Sequence, residues 1–199
     1  CGVLSIPYWK SKHIKISQNM CIVHDTAYSE EKYKEYFDEP YFRIFHSLTD
    51  IHIAPVNGIS IVSAKQDDIP LLVDIINQCY TDLSVTFEQL KGYTQTEAFC
   101  PELWVIAVDN VNSCVAGCGI ADLDKELHEG IIEWIQVVPF YRGRKIGQLI
   151  VNELLKRIAS MAEFATVSGK VNNATSPEIL YRKCGFTGND VWHILTKEE

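Results

Sequence analysis

From residue 59 onward, apolar and polar positions follow two periodicities in turn. Short apolar runs typical of strands alternate with longer segments in which apolar residues recur every three to four positions. The clearest helical pattern covers residues 146–158, where apolar positions trace one face. Another covers residues 71–79 after Asp67 and Asp68, which suit a helix N-terminus. Both segments predict amphipathic helices.

The remaining pattern completes an alternation of strands and helices. Short helices are predicted over residues 87–92 and 177–184. Strands are predicted over residues 59–64, 103–108, 114–122, 131–138, 164–171 and 191–196. The order β-α-α-β-β-β-α-β-α-β indicates an α/β (α+β) fold, a mixed sheet flanked by helices on both sides.

Residues 1–56 have a different pattern. Short strands are predicted over residues 13–17, 20–24, 41–48 and 51–54. The charged, tyrosine-rich stretch from residue 28 to 40 predicts a short helix that ends before Pro40. Pro, Asn and Gly cluster between residues 55 and 58, where a boundary is expected. The chain is therefore divided into an N-terminal annex, 1–56, of unknown role and a domain, 57–199.

Composition excludes several classes of protein. The 199 residues are 47% hydrophobic and 22% charged, ordinary values for a globular chain. The formal net charge of −8 argues against nucleic acid as a partner and favours cationic acceptors such as amines. The sequence contains no apolar run of about 18 residues, so it predicts no membrane-spanning helix. The seven cysteines include no CxxC pair, so we expect free thiols, no metal site and a cytoplasmic location.

The most informative segment is a basic turn between the strand at 131–138 and the helix after it. The turn consists of Arg142, Gly143, Arg144, Lys145, Ile146 and Gly147. Unpaired N–H groups at a helix start, with the helix dipole, bind anions such as a pyrophosphate. Alternatively, the glycines serve only a tight strand–helix turn, although three cations there would oppose the dipole. No GxGxxG or GxxxxGK[ST] pattern is present, which excludes Rossmann and P-loop sites.

This segment resembles motif A of the GNAT superfamily of N-acetyltransferases, [Q/R]-x-x-G-x-[G/A] after a strand. Arg142 matches the first position and Gly147 the last, whereas Lys145 stands where the family usually has glycine. The resemblance implies a mostly antiparallel sheet that splays open and acetyl-CoA as co-substrate. It also implies that the backbone at Ile135, Gln136 and Val137 binds the pantetheine arm and the thioester carbonyl.

A second resemblance lies at residues 181–186, YRKCGF, which are similar to the family's Y-x-K-x-G-F signature. It implies that Tyr181 is the general acid that protonates the departing CoA thiolate. The other interpretation is a tyrosine that packs its ring with an exposed hydroxyl. Asn173 resembles the asparagine that precedes the signature tyrosine and contacts the cofactor arm, although an asparagine that caps a loop fits equally well.

Glu133 is the candidate general base. Strict alternation along the strand puts Ile131, Glu133, Ile135 and Val137 on one face, so Glu133 would point into the cleft of the thioester. A charged residue in an apolar strand is costly unless it is paired or functional. A salt-bridged structural carboxylate and an acidic contact for the acceptor's amine remain open as alternatives.

These features predict an acetyl-CoA-dependent N-acetyltransferase. The acceptor, a small-molecule or peptide amine, would attack the thioester directly in a ternary complex. A covalent route through Cys184 and a non-catalytic acyl-CoA-binding or sensing module are the alternatives. The pattern identifies neither the acceptor nor the oligomeric state, for which a monomer and a homodimer are both compatible.

Overall fold

The computed structural model of the chain describes residues 10, 16–79, 84–173 and 175–197. Eight strands and four α-helices are complete within these ranges. The strands are β1 Met20–His24, β2 Phe37–His46, β3 Ile59–Ser63, β4 Trp104–Asp109, β5 Cys114–Asp124, β6 Glu129–Val137, β7 Phe164–Lys170 and β8 Thr187–Thr196. The helices are α1 Ile69–Cys79, α2 Phe87–Tyr93, α3 Ile146–Ile158 and α4 Pro177–Lys183.

All eight strands form one sheet in the order β1-β8-β2-β7-β6-β5-β4-β3. Strands β6 and β7 are parallel, and the other neighbouring pairs are antiparallel. The predicted mixed, mostly antiparallel sheet is therefore confirmed. Every strand and helix predicted after residue 58 is present, with ends that differ by a few residues.

Two strands of the annex are integral to this sheet. Strand β2 lies between β7 and β8, and β1 pairs with the outer edge of β8. The division of the chain at residue 57 stays a prediction, but strands from both sides of it share one hydrogen-bonded sheet. Residues before position 57 consequently stabilise β7 and β8, which frame the site described below.

The local sequence pattern predicted the secondary structure of the annex poorly. The helix predicted over residues 28–40 is wrong, because turns lead into β2, which starts at Phe37 and runs through Pro40. The strand predicted over 51–54 is also wrong. Residues 13–15 of the strand predicted over 13–17 lie outside the described residues. Pairing of β2 with two neighbours satisfies its backbone groups, and this outweighs the local helical preference of the glutamates and lysines before it.

Helices cover both faces of the sheet and enclose two apolar clusters. Helix α3 buries its predicted apolar face, including Ile146, Ile150 and Ile158. Helices α1 and α2 cover the opposite face of β4, β5 and β6. Gly130 is required under α3, because a Cβ atom there would lie 2.3 Å from a side-chain carbon of Ile158. No helix among the described residues is long and apolar enough to cross a bilayer.

Candidate active site

The sheet opens between its two parallel strands. Strands β6 and β7 pair from Glu129 opposite Phe164 to Ile132 opposite Val167. Beyond that point β6 continues to Val137 next to β5, and β7 continues to Lys170 next to β2. The two strands therefore diverge toward their carboxyl ends. Such an opening, here called the cleft, is where ligands bind in open α/β sheets.

A β-bulge in β6 lies where the two strands separate. Ile120 pairs with Trp134 and Ala121 pairs with Ile132, which leaves Glu133 as an extra residue in β6. A bulge interrupts alternation and re-aims side chains. Ile132 packs in the cluster under α3, and Trp134 packs against the cluster under α1 and α2.

The prediction that Ile131, Glu133, Ile135 and Val137 share one face is consequently wrong. Ile135 and Val137 pack against the α3-side cluster together with Ile132, whereas Ile131 packs with Ala98 elsewhere. The inserted residue shifts the side-chain alternation by one position, and the sequence pattern of β6 carries no mark of that insertion.

The carboxyl end of β6 is held by its neighbours. The N–H of Val138 donates to the carbonyl of Ala116 at 3.0 Å, so this residue faces β5. The carbonyl of Val137 points elsewhere and accepts hydrogen bonds from Arg142 Nε at 3.2 Å and Cys79 Sγ at 3.5 Å. Because backbone groups alternate along a strand, Ile135 and Val137 turn their backbone away from β5, toward the cleft. Gln136 is buried.

Most of the basic turn lies outside the helix. A short 3-10 helix, Pro139–Tyr141, follows β6, and α3 begins at Ile146, where the apolar pattern predicted it. Gly143 has φ +80° and Lys145 has φ +63°, both in the left-handed region, so neither belongs to the helix. Lys145 is the N-cap residue, and no side chain in the described part of the chain caps the helix. The first N–H groups of α3 thus lack a side-chain acceptor.

The uncapped start of α3 lies beside the cleft. A Cβ atom on Gly147 would be 3.2 Å from Leu180 on α4 and 3.6 Å from Val137 at the end of β6. The cations of the turn are exposed. Arg142 is hydrogen-bonded to Val137, and the guanidinium of Arg144 lies 5.0 Å from the ring centre of Phe140. The segment that resembles motif A therefore has an exposed cationic surface and uncapped amides.

Lys145 occupies a conformation that favours glycine, the residue that motif A usually has at this position. We expect Lys145→Gly to keep the stability of the chain or to raise the free energy of unfolding by up to about 1 kcal/mol. Lys145→Val should lower it by about 1–2 kcal/mol, because a β-branched side chain is disfavoured at positive φ. Urea unfolding measures both. Equal stabilities of the two variants would contradict the assigned backbone conformation.

Tyr181 lies on α4, which packs against the start of α3. The residue is buried, and its ring centre is 6.4 Å from that of Phe42 and 5.8 Å from that of Phe186. Asn173 caps the loop before α4, because its Oδ1 accepts from the N–H of Thr175 at 2.9 Å and from its hydroxyl at 2.7 Å. This is the alternative interpretation of Asn173; its contact with a cofactor stays a prediction.

Glu133 forms an ion pair with Lys10, a residue of the annex. The two side chains are partly buried, with exposed fractions of 21% and 26%. A charge partner supplied by the first ten residues has no signal in the local sequence of β6. The structure thus gives Glu133 a cationic partner, and its role as a base stays a prediction.

Asp122 on β5 is a buried carboxyl group that the sequence analysis did not single out. It pairs with Ile131 across the sheet and is 7% exposed. Burial, and secondly the charge of Glu133, raise the pKa of Asp122 to about 8, while Lys10 acts in the opposite direction. The available signal was an aspartate in the apolar run 114–122, where a buried carboxyl group needs an explanation.

A buried ion pair lies at the base of the cleft. Arg43 on β2 donates to Glu129 on β6 at 2.6 Å, and Thr166 on β7 donates a further hydrogen bond to the same carboxylate. Burial raises the pKa of Glu129 and lowers the pKa of Arg43. This pair joins β2 to β6 across β7 at the base of the cleft.

Comparison with known proteins gives a family match for part of the chain. Residues 101–188 match the model of the GNAT acetyltransferase domain. The matched range includes the basic turn and the signature tyrosine. Over this range the chain is therefore similar to a GNAT acetyltransferase domain, the family that both motifs resemble.

Solved structures share the fold. A GCN5-related N-acetyltransferase from Sphaerobacter thermophilus is 19% identical, with a TM-score of 0.73 over 95% of this chain and 63% of that one. The ribosomal-protein-S18-alanine N-acetyltransferase from Escherichia coli is 17% identical, with a TM-score of 0.55 over 70% of this chain and 92% of that one. A chain of the NatC complex bound to Gag peptide and CoA is 17% identical, with a TM-score of 0.56 over 71% of this chain and 99% of that one.

The chain spans 63% of the length of the Sphaerobacter structure. No curated protein sequence matches it. At these identities the similarity concerns the fold, and the acceptor has to be inferred from the site.

Proposed function

We propose that the chain is an acetyl-CoA-dependent N-acetyltransferase that transfers an acetyl group to a primary amine by direct attack in a ternary complex. The observation that carries this proposal is the cleft between β6 and β7, with the uncapped start of α3 beside it. The related NatC structure contains CoA and a peptide, which fits a CoA substrate and an amine acceptor.

Binding of acetyl-CoA is assigned to the carboxyl end of the cleft. The pyrophosphate would meet the N–H groups of Ile146 and Gly147 and the cations Arg142, Arg144 and Lys145. The dipole of α3 and these positive charges both attract an anion at this place. The pantetheine arm would run along the backbone of residues 135–137, which the divergence of β7 leaves accessible from the cleft.

The chemistry requires two proton transfers and a site for the oxyanion. An alkyl amine with a pKa near 10.4 needs about 4.6 kcal/mol to become neutral at pH 7, which a nearby base offsets in part. We assign that role to Glu133 and the protonation of the CoA thiolate to Tyr181. A cleft-facing N–H near Val137 would stabilise the oxyanion that develops on the thioester carbonyl.

Direct attack is favoured over a cysteine intermediate. Cys184 is buried, and burial raises its pKa to about 12, which keeps the thiol protonated at neutral pH. All six described cysteines are free thiols, in line with the predicted cytoplasmic location, which stays a proposal.

Gly143 offers a charge test of the proposed phosphate site. A Cβ atom at this position has no neighbour within 4 Å, and φ is +80°, a value that asparagine and aspartate both tolerate. Gly143→Asp should weaken acetyl-CoA binding at least about tenfold relative to the matched variant Gly143→Asn, because only the former adds a negative charge. Isothermal titration calorimetry measures both affinities.

Equal affinities of these two variants, or no binding of acetyl-CoA to the unmodified chain, would exclude the proposed phosphate site. A thiol-release assay over a panel of primary amines then separates the two functions considered above. Release of CoA that depends on the amine supports the transferase. Binding without release on any amine supports the non-catalytic acyl-CoA-binding module.

A further inference from the structure

Two carboxyl groups lie together where β6 leaves β7. Glu133 is the bulged residue that follows Ile132, the last residue of β6 that pairs with β7. Asp122 lies on β5 opposite Ile131. The charge of Glu133 acts on the carboxyl group of Asp122. Here they are called the carboxyl pair. Glu133 stands at the inner end of the cleft, opposite the end assigned to the pyrophosphate.

Among the described residues, no hydrogen-bond partner of Asp122 accounts for its burial. The residue is 7% exposed, and no hydrogen bond reaches its carboxyl group from the described part of the chain. Buried carboxyl groups are normally hydrogen-bonded, because an unpaired one loses its hydration without compensation. By contrast, Glu129 on the same sheet accepts hydrogen bonds from both Arg43 and Thr166. Asp122 is therefore suited to receive a group that arrives from outside the sheet.

A primary ammonium group already lies at this place. The ε-ammonium of Lys10 donates to Glu133, and its charge also acts on Asp122. Arg43, the other cation that acts on this region, is committed to Glu129 and Ser168. Among the described residues no set of three metal-binding side chains converges, so an organic cation fits the carboxyl pair better than a metal ion.

We propose that Asp122 and Glu133 bind the ammonium group of the acceptor, and that Lys10 of the same chain is one such acceptor, acetylated on Nζ in cis. This inference rests on the proposed function, which supplies acetyl-CoA and the thioester position. It names the substrate class, a cationic primary amine, and a modification site within the annex.

The step balances without a further reactant. The ammonium group of Lys10 gives one proton to the carboxyl pair, and the neutral amine attacks the thioester carbonyl carbon. A C–N bond forms, the C–S bond breaks, and the thiolate takes a proton from Tyr181. The second N–H proton also passes to the carboxyl pair. Of the two protons received there, one restores the hydroxyl group of Tyr181 and the other is released to solvent, so one proton is released overall. The product amide is neutral and loses its ion pair with Glu133, which favours its release.

Mass spectrometry of the protein after incubation with acetyl-CoA tests this inference. We expect one acetyl group on Lys10. The first-order rate constant of its formation should not change when the protein is diluted. Lys10→Arg should abolish this modification, because arginine keeps the cation but is not acetylated. Glu133→Gln and Asp122→Asn should each slow it at least about tenfold while acetyl-CoA affinity stays within about twofold. The exposed lysines Lys91 and Lys156 serve as internal references.

The outcomes separate this inference from the proposed function. Acetylation of added amines with Lys10 unmodified would overturn the cis reaction and leave the transferase intact. A rate that rises with protein concentration would overturn it as well, since the reaction would then occur between chains. If Lys10, Lys91 and Lys156 are acetylated at equal rates and Glu133→Gln does not slow the reaction, the labelling is an uncatalysed reaction of surface lysines, which would overturn the inference. Absence of acetyl-CoA binding would overturn both proposals.

Discussion

Asp122→Asn is expected to raise the free energy of unfolding by several kcal/mol at pH 9. In the folded chain the pKa of Asp122 is raised to about 8, mainly by burial and then by Glu133, against about 3.9 in an unfolded chain. The difference corresponds to on the order of 5 kcal/mol, an upper value because local relaxation reduces it. Asparagine has nearly the same shape and does not ionise.

The effect must depend on pH in one direction. Between about pH 4 and pH 8 the folded chain holds a proton on Asp122 that the unfolded chain has lost, so stability falls as pH rises. Below about pH 4 both states are protonated and the cost disappears. The stability gain of Asp122→Asn should therefore be small at pH 4.5, grow through this window and level off above pH 8. Glu133 and Lys10 are the charged groups that act on Asp122, in opposite directions.

Urea unfolding of both proteins across this pH range measures the gain. Asp74→Asn is the control, because Asp74 is exposed on α1 and its replacement should change stability by less than about 0.5 kcal/mol at every pH. A difference between Asp122→Asn and the unmodified chain that stays constant from pH 4.5 to pH 9 would show that Asp122 is ionised in the folded chain throughout.

Tyr181→Phe is expected to lower kcat for acetyl transfer by about 10²–10⁴-fold. The substitution removes the hydroxyl group that we assign to protonation of the CoA thiolate. It retains the aromatic ring, which packs against Phe42 and Phe186, so the fold and the affinity for acetyl-CoA should be preserved. Steady-state thiol release gives kcat, and calorimetry gives the affinity.

Cys184→Ala provides the matched control on the same short segment. Cys184 is buried beside Tyr181 in the same apolar cluster, but direct attack assigns it no step. We expect kcat of this variant to stay close to that of the unmodified chain. If instead Cys184→Ala loses activity with its fold intact and Tyr181→Phe does not, the reaction passes through the cysteine and the assigned acid is wrong.

The sequence by itself determined the elements that depend on local pattern. The apolar face of α3 follows from spacing within residues 146–158, because helical hydrogen bonds and side-chain neighbours lie within four positions. The basic turn is also local, since the anion-binding capacity of a helix start belongs to the backbone of a few consecutive residues. For the same reason the strands after residue 58 and the family resemblance were recognisable without a structure.

Only the tertiary structure decided where the carboxyl pair and the annex lie relative to β6. The bulge at Glu133 arises from the register between β5 and β6, which is a property of two paired strands rather than of either one. Strand β2 lies between β7 and β8, and Lys10 meets Glu133 across 123 positions of the chain. Such contacts depend on which distant segments satisfy each other's backbone groups and charges, and a local sequence window contains neither partner.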